Sequence, residues 1–85
     1  MAEKAHIFLK IHGRNGILFS GAVSSLTAVN KTGLFDVLPN HANFISLIQE
    51  KVTYRDAITN VAHIAPIGQA IIMAVENQVD VYLGM

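Results

Sequence analysis

The chain contains no cysteine. That excludes a disulfide framework, a thiol nucleophile and a thiolate metal site, and makes a cytoplasmic setting the simpler expectation. Charge is also scarce: six basic residues balance six acidic ones, without runs. A net charge of zero leaves no basic patch for nucleic acid or for an anionic membrane surface. Long apolar runs are missing. The longest, A-I-I-M-A-V at residues 70–75, falls far short of the ~20 residues that cross a bilayer as a helix. The opening M-A-E-K-A-H has no apolar signal-peptide core. The expectation is a chain that is soluble, or that meets a membrane only indirectly, through another protein.

What the chain has in excess is apolar surface. Of its 85 residues 52% are hydrophobic and 14% charged, against about 25% charged in an average globular protein. That length allows a single domain, residues 1–85. A chain this short buries only about 60% of its unfolded surface. Part of the apolar surplus is therefore expected to be covered by partners.

The patterning is that of strands. Ile7, Leu9 and Ile11 alternate with Phe8, Lys10 and His12, the period of a half-buried strand. Gly13-Arg14-Asn15-Gly16 then reads as a hairpin turn. Residues 17–30 are rich in β-branched and small residues, with Gly21 as the expected bend. Asn30-Lys31-Thr32-Gly33 is the next turn, and Gln49-Glu50-Lys51 reads as another. Residues 52–55 and 61–64 form a hairpin around Asp56, and Pro66 and Gly68 punctuate the chain after it. Residues 70–75 read as a strand buried on both faces, and Val79, Val81 and Leu83 as the inward side of a last strand. No segment of helical length carries the i, i+3, i+4 spacing. The expected fold is all-β: an antiparallel sandwich or flattened barrel of about ten short strands.

Chemistry is hard to find in this pattern. His6 and His12 share a strand face but lie roughly 20 Å apart, too far for one ion. His41 and His63 meet only if the fold brings them together, and no ligand-spaced acid accompanies either. Neither glycine turn has phosphate-loop spacing or opens a helix. Ser20, Ser24, Ser25 and Ser46 sit in strands without a nucleophile elbow, and Asp36 and Glu50 show no pairing pattern. The expectation is a non-enzyme with no catalytic residues, no metal and no cofactor. A small-ligand or metal-binding sandwich using His41 and His63 is the alternative.

The stretch around which the chain is organised is residues 33–48, G-L-F-D-V-L-P-N-H-A-N-F-I-S-L-I. Pro39 removes a backbone donor and fixes φ, so no regular ladder runs straight through it. His41 then has two readings: a turn histidine whose ring caps a backbone carbonyl, or an exposed contact residue in a rigid turn.

This stretch resembles the G-x-[FL]-G-[VI]-L-P-G-H-A-P-L-L-[TS]-x-[LI] signature of the epsilon subunit of rotary F-type ATP synthases. Gly33, Phe35, Val37, Leu38, Pro39, His41, Ala42, Ser46 and Ile48 match in register. The strand I-L-F-S-G-A-V-S-S-L, through Phe19, Gly21, Val23 and Leu26, and the closing N-Q-V-D-V-Y-L, through Val79, Val81 and Leu83, are similar to that family's strands. Asp36 and Asn40 stand where glycine is usual, and residues 49–66 match in pattern only. The resemblance implies a ten-stranded sandwich in the central stalk, rotating with the gamma subunit and seated on the membrane c-ring. It implies a peripheral place on the cytoplasmic face of the cell membrane, within the complex. Lys31, Thr32, Gly33 and Leu34, with the turn Pro39, Asn40, His41 and Ala42, are implied to face the c-ring, and the region from Ala42 to Ser46 to meet gamma. The family's C-terminal helical hairpin, with the inhibition and nucleotide binding that depend on it, is not expected in these residues, which end at Met85.

Overall fold

A computed structural model describes residues 6–84. The readings of residues 1–5 and of Met85 lie outside the described residues. Six strands form: β1 Ile7–Gly13, β2 Gly16–Asn30, β3 Gly33–Val37, β4 Phe44–Asp56, β5 Ala62–Val75 and β6 Gln78–Leu83. They make one sheet in the order β1-β6-β5-β4-β2-β3, and a further β1–β2 pairing closes it into a flattened barrel. All pairings are antiparallel except β1–β6, which is parallel.

The strand count corrects the expectation of about ten short strands. β2, β4 and β5 are long and change partners along their length. β2 pairs with β1 over its first part and with β3 and β4 over its second. Register shifts mark the changes, between Val23 and Ser25 in β2 and between Glu50 and Lys51 in β4. Bulges of this kind bend a strand without ending its ladder. The polar Gln49-Glu50-Lys51 segment is thus a bend inside β4, not a turn, with Glu50 held at φ 71° opposite Gly68. Gly21 stays in the ladder opposite Leu9, and Pro66 stays inside β5.

True turns use left-handed residues. Gly16 at φ 133° and Gly33 at φ 121° close the first two hairpins, where a β-carbon would be strained. The Asn30 side chain accepts from the Thr32 main-chain N–H at 2.8 Å and from its hydroxyl at 2.7 Å, and so stiffens the second.

The core fills the barrel. Ile7, Leu9 and Ile11 of β1, Ala70, Ile72 and Ala74 of β5, and Val79 and Val81 of β6 are buried. They come from alternate positions, as the period of two requires. No polar or charged residue is fully buried among the described residues. An aromatic row closes one seam: Phe19 packs on Tyr54 at 4.5 Å between centroids, and Tyr54 stacks on His63 at 5.5 Å. Burial pushes the Tyr54 phenol above its ordinary value, and the nearby Asp56 carboxylate adds to the rise.

Asp56 organises the β4–β5 turn. Its Oδ1 accepts from the main-chain N–H of Ile58 at 2.8 Å and of Thr59 at 2.9 Å, and Arg55 Nη1 donates to the Asn60 carbonyl at 2.7 Å. The Thr59 and Ile58 bonds hold the Asp56 carboxyl below its ordinary value. The folded-state value lies below the unfolded one, so the carboxylate's contribution is full above about pH 4. It is lost as pH falls through the folded-state value. Asp56→Asn keeps an acceptor but loses the titration. In urea melts followed from pH 6 to pH 2, the wild-type chain should lose stability more steeply than this variant; parallel curves would contradict the assignment.

Candidate functional site

The loop after β3 is built on a left-handed residue. Asn40 sits at φ 65°, a conformation that asparagine tolerates better than most non-glycine residues. That explains how it occupies a position where glycine is usual. Asp36, the other such position, accepts from the Thr27 hydroxyl at 2.7 Å.

The loop is clasped to the β5–β6 turn. The Asn40 main-chain N–H donates to Asn77 Oδ1 at 2.7 Å, and Asn77 Nδ2 donates back to Asn40 Oδ1 at 3.3 Å. The Glu76 N–H donates to Asn43 Oδ1 at 2.7 Å. The Asn77 carbonyl in turn accepts from the Phe8 N–H at 2.8 Å, which ties in β1. Asn77→Ala removes both bonds to Asn40, and a net hydrogen bond is worth about 1 kcal/mol. The variant should unfold about that much more easily in urea, with faster amide exchange over residues 38–43. Unchanged exchange there would mean that the clasp does not hold the loop.

His41 caps a carbonyl. Its Nδ1 lies 2.8 Å from the Leu38 oxygen; a carbonyl only accepts, so Nδ1 carries the proton. The ring meets Phe44 edge-on at 5.9 Å, and Phe44 meets Phe35 edge-on at 6.0 Å. Nε2 is buried without a hydrogen-bond partner among the described residues. The fold does not pair His41 with His63: the first packs on Phe44 and the second on Tyr54. His12 bonds Asp80 Oδ1 at 2.8 Å and stacks on Tyr82 at 4.5 Å. Among the described residues, no group of three His, Cys, Asp or Glu side chains is arranged to hold a metal.

The residues singled out in the sequence fall at two ends of one strand segment. Lys31 and Thr32 form the β2–β3 turn, Gly33 opens β3, and Leu34 points outward at 72% exposure. Pro39, Asn40, His41 and Ala42 form the clasped loop that leads into β4. Between them runs the first part of β4. Ser46 is half-buried there, on the side of Phe44 and buried Ile48. An open hollow of about 390 Å³ joins Lys31 to Ile45, Ser46 and Leu47.

Of the outward residues of β4, Ile45 lies within the region from Ala42 to Ser46, whereas Leu47 was missed. Ile45 is 67% and Leu47 64% exposed. Across the ladder they stand opposite Met73 and Ile71, and Ile71 in turn stands opposite Tyr82. Exposed Val75 continues the stripe. This corrects the reading of residues 70–75 as buried on both faces: Ala70, Ile72 and Ala74 are buried, while on the alternate side Ile71 and Met73 are half-buried and Val75 is exposed. The signal was present in the sequence, since outward positions 45, 47, 71, 73 and 75 are all apolar.

The site is the apolar outer side of β4 and β5 on a barrel-like β-sandwich, flanked by two ordered turns. The chain belongs to the ATP synthase delta/epsilon chain beta-sandwich domain family, whose match covers residues 6–83. Its fold is similar to that of a chain in the mitochondrial ATP synthase of Euglena gracilis, a structure that includes the c-ring. The TM-score is 0.85 at 14% identity, covering 98% of this chain and 53% of that one. It is also similar to a chain of the central stalk and c-ring of the Tetrahymena thermophila mitochondrial ATP synthase. There the TM-score is 0.73 at 11% identity, covering 98% of this chain and 65% of that one. The chain thus spans between half and two thirds of the length of these structural relatives. Among curated proteins, none matches the sequence.

Proposed function

We propose that the chain is a non-catalytic central-stalk subunit of a rotary ATP synthase, one epsilon-type sandwich that couples the gamma subunit to the membrane c-ring. The observation that carries this reading is the outward apolar stripe of exposed Ile45, Leu47 and Val75, with half-buried Ile71 and Met73 between them, on a domain of this family. A stripe of that kind on an otherwise closed sandwich fits a surface covered by a partner. Gamma is the partner assigned to it, together with the region from Ala42 to Ser46. Lys31, Thr32, Gly33, Leu34 and the turn Pro39, Asn40, His41 and Ala42 are assigned to the c-ring side. The subunit sits peripherally on the cytoplasmic face of the cell membrane, touching lipid only through the complex.

The role asks for stiffness rather than chemistry. Torque passes through a body only if its elements do not slide. The closing β1–β2 and β1–β6 pairings and the Asn40–Asn77 clasp resist such sliding. The test is reconstitution with the cognate gamma subunit and c-ring. A stable complex is expected, together with loss of ATP-driven ion pumping, but not of ATP hydrolysis, when residues 39–42 are replaced by a flexible linker. Failure of the purified chain to bind gamma removes the proposal.

A further inference from the structure

The chain holds six asparagines, and the fold engages the side chains of four. Asn30 accepts from Thr32, Asn43 from the Glu76 N–H, Asn77 from the Asn40 N–H, and Asn40 from Asn77 Nδ2. Asn60 is fixed through its main chain: its N–H donates to the Asp56 carbonyl, its own carbonyl accepts from Arg55, and β-branched Val61 follows it. Asn15 differs on every count. Among the described residues no hydrogen bond holds its carboxamide, and it is exposed at the β1–β2 turn. Gly16 follows it, also exposed, and no atom lies within 4 Å of where a Gly16 β-carbon would stand. The Gly13–Gly16 pair is the last rung of the β1–β2 ladder, and the ends of ladders open most readily.

We propose that the β1–β2 turn is a self-modification site, at which Asn15 loses its amide to attack by the Gly16 main-chain nitrogen. When the last rung opens, that nitrogen gives its proton to solvent and bonds to Asn15 Cγ. The Cγ–Nδ2 bond breaks, and Nδ2 leaves as ammonia with a proton taken from water. A cyclic imide remains. Water then adds at one of its two carbonyls. Opening at Cγ restores the backbone with aspartate at position 15; opening at the main-chain carbonyl leaves Gly16 attached through Cγ, as isoaspartate. The net change is water in and ammonia out, with no oxidant or cofactor. Glycine favours the attack because it has no side chain to crowd its nitrogen and turns freely about φ. The residues after the other asparagines, Lys31, His41, Phe44, Val61 and Gln78, all carry one. Either product adds a carboxylate beside Arg14 to a chain of zero net charge. Isoaspartate also lengthens the backbone of a two-residue loop and so unseats the Gly13–Gly16 rung. The clasped loop is spared, because it is tied in at Phe8, the other end of β1. None of this depends on the central-stalk reading.

The purified folded chain, incubated at mildly alkaline pH, tests it by anion exchange and by peptide mapping that separates aspartate from isoaspartate. An acidic form should accumulate with both products at position 15, at least about tenfold faster there than at any other asparagine. Asn15→Ser should abolish that form. Asn15→Gln, which keeps the amide but sets it one methylene further out, should slow it by about tenfold or more. A free peptide of residues 11–18 gives the unprotected rate, and the folded chain should fall within about tenfold of it, as an easily opened rung requires. Conversion more than about a hundredfold slower than in the peptide would mean that the turn shields Asn15 and overturns the proposal. An acidic form that persists in Asn15→Ser, or that maps to another asparagine, overturns it as well.

Discussion

Ile72→Ala should cost about 2–5 kcal/mol of folding free energy, the range for removing a large aliphatic side chain from a packed core. Ile72 is fully buried in the second half of β5, where β4 and β6 both pair with it. It stands opposite Ser46 on β4 and Val81 on β6, so its cavity opens where both ladders meet. Ladders on both sides hinder collapse into the void, which favours the upper half of the range. Natural domains hold only about 5–15 kcal/mol in all, and one this small sits low on that scale. At roughly 4–8 °C per kcal/mol for a domain of this size, the melting midpoint should fall by about 8–40 °C. The control is Ile58→Ala at the tip of the β4–β5 turn, where the side chain is 90% exposed; it should stay within about 0.5 kcal/mol of wild type. Urea and thermal melts followed by circular dichroism measure both. A loss below about 1 kcal/mol for Ile72→Ala would show that the barrel interior is not packed at this point.

The double replacement Ile45→Lys with Leu47→Lys should behave in the opposite way. Both side chains point away from the core and are about two-thirds exposed. Folding stability should therefore change by only about 0.5 kcal/mol per site, and lysines on an open edge suit the free chain. On the proposed assignment of this face to gamma, binding to that subunit should suffer heavily. Covering one such side chain fully is worth about 1.5–3 kcal/mol, so losing two removes about 3–6 kcal/mol, or roughly a hundredfold to ten-thousandfold in affinity. Two desolvated lysines add to the loss. Titration calorimetry with the cognate gamma subunit reads the effect. A variant that folds normally and binds within threefold of wild type would move the gamma contact off this face.

Some elements were readable from local pattern alone. The alternation of Ile7, Leu9 and Ile11, and of Val79 and Val81, assigned the buried sides of β1 and β6 correctly. The turns at residues 14–15 and 31–32 lie where their glycines pointed. Other elements misled for a definite reason. Gln49-Glu50-Lys51 has the polarity of a turn, yet a bulge accommodates the same residues when a neighbour continues the ladder, and that neighbour lies on β5. Residues 70–75 are apolar on both sides, and periodicity tells which sides are apolar but not which are covered. His41 left two readings in balance until the loop geometry brought its Nδ1 to the Leu38 carbonyl.

The amino-acid sequence by itself determined the all-β class, the family, the hairpin turns and the inward side of most strands, because each rests on neighbours a few residues apart. Contacts distant along the chain were decided only by the tertiary structure. The parallel meeting of β1 and β6 joins the two ends of the described chain, and the Asn40–Asn77 clasp bridges 37 positions. That residues 44–50 of β4 pair with β5 alone is likewise visible only once every ladder has been drawn. Local propensity does not encode which strand lies beside which. Pairing is settled when closure of the barrel buries one apolar face of β4 and β5 and leaves the other outside.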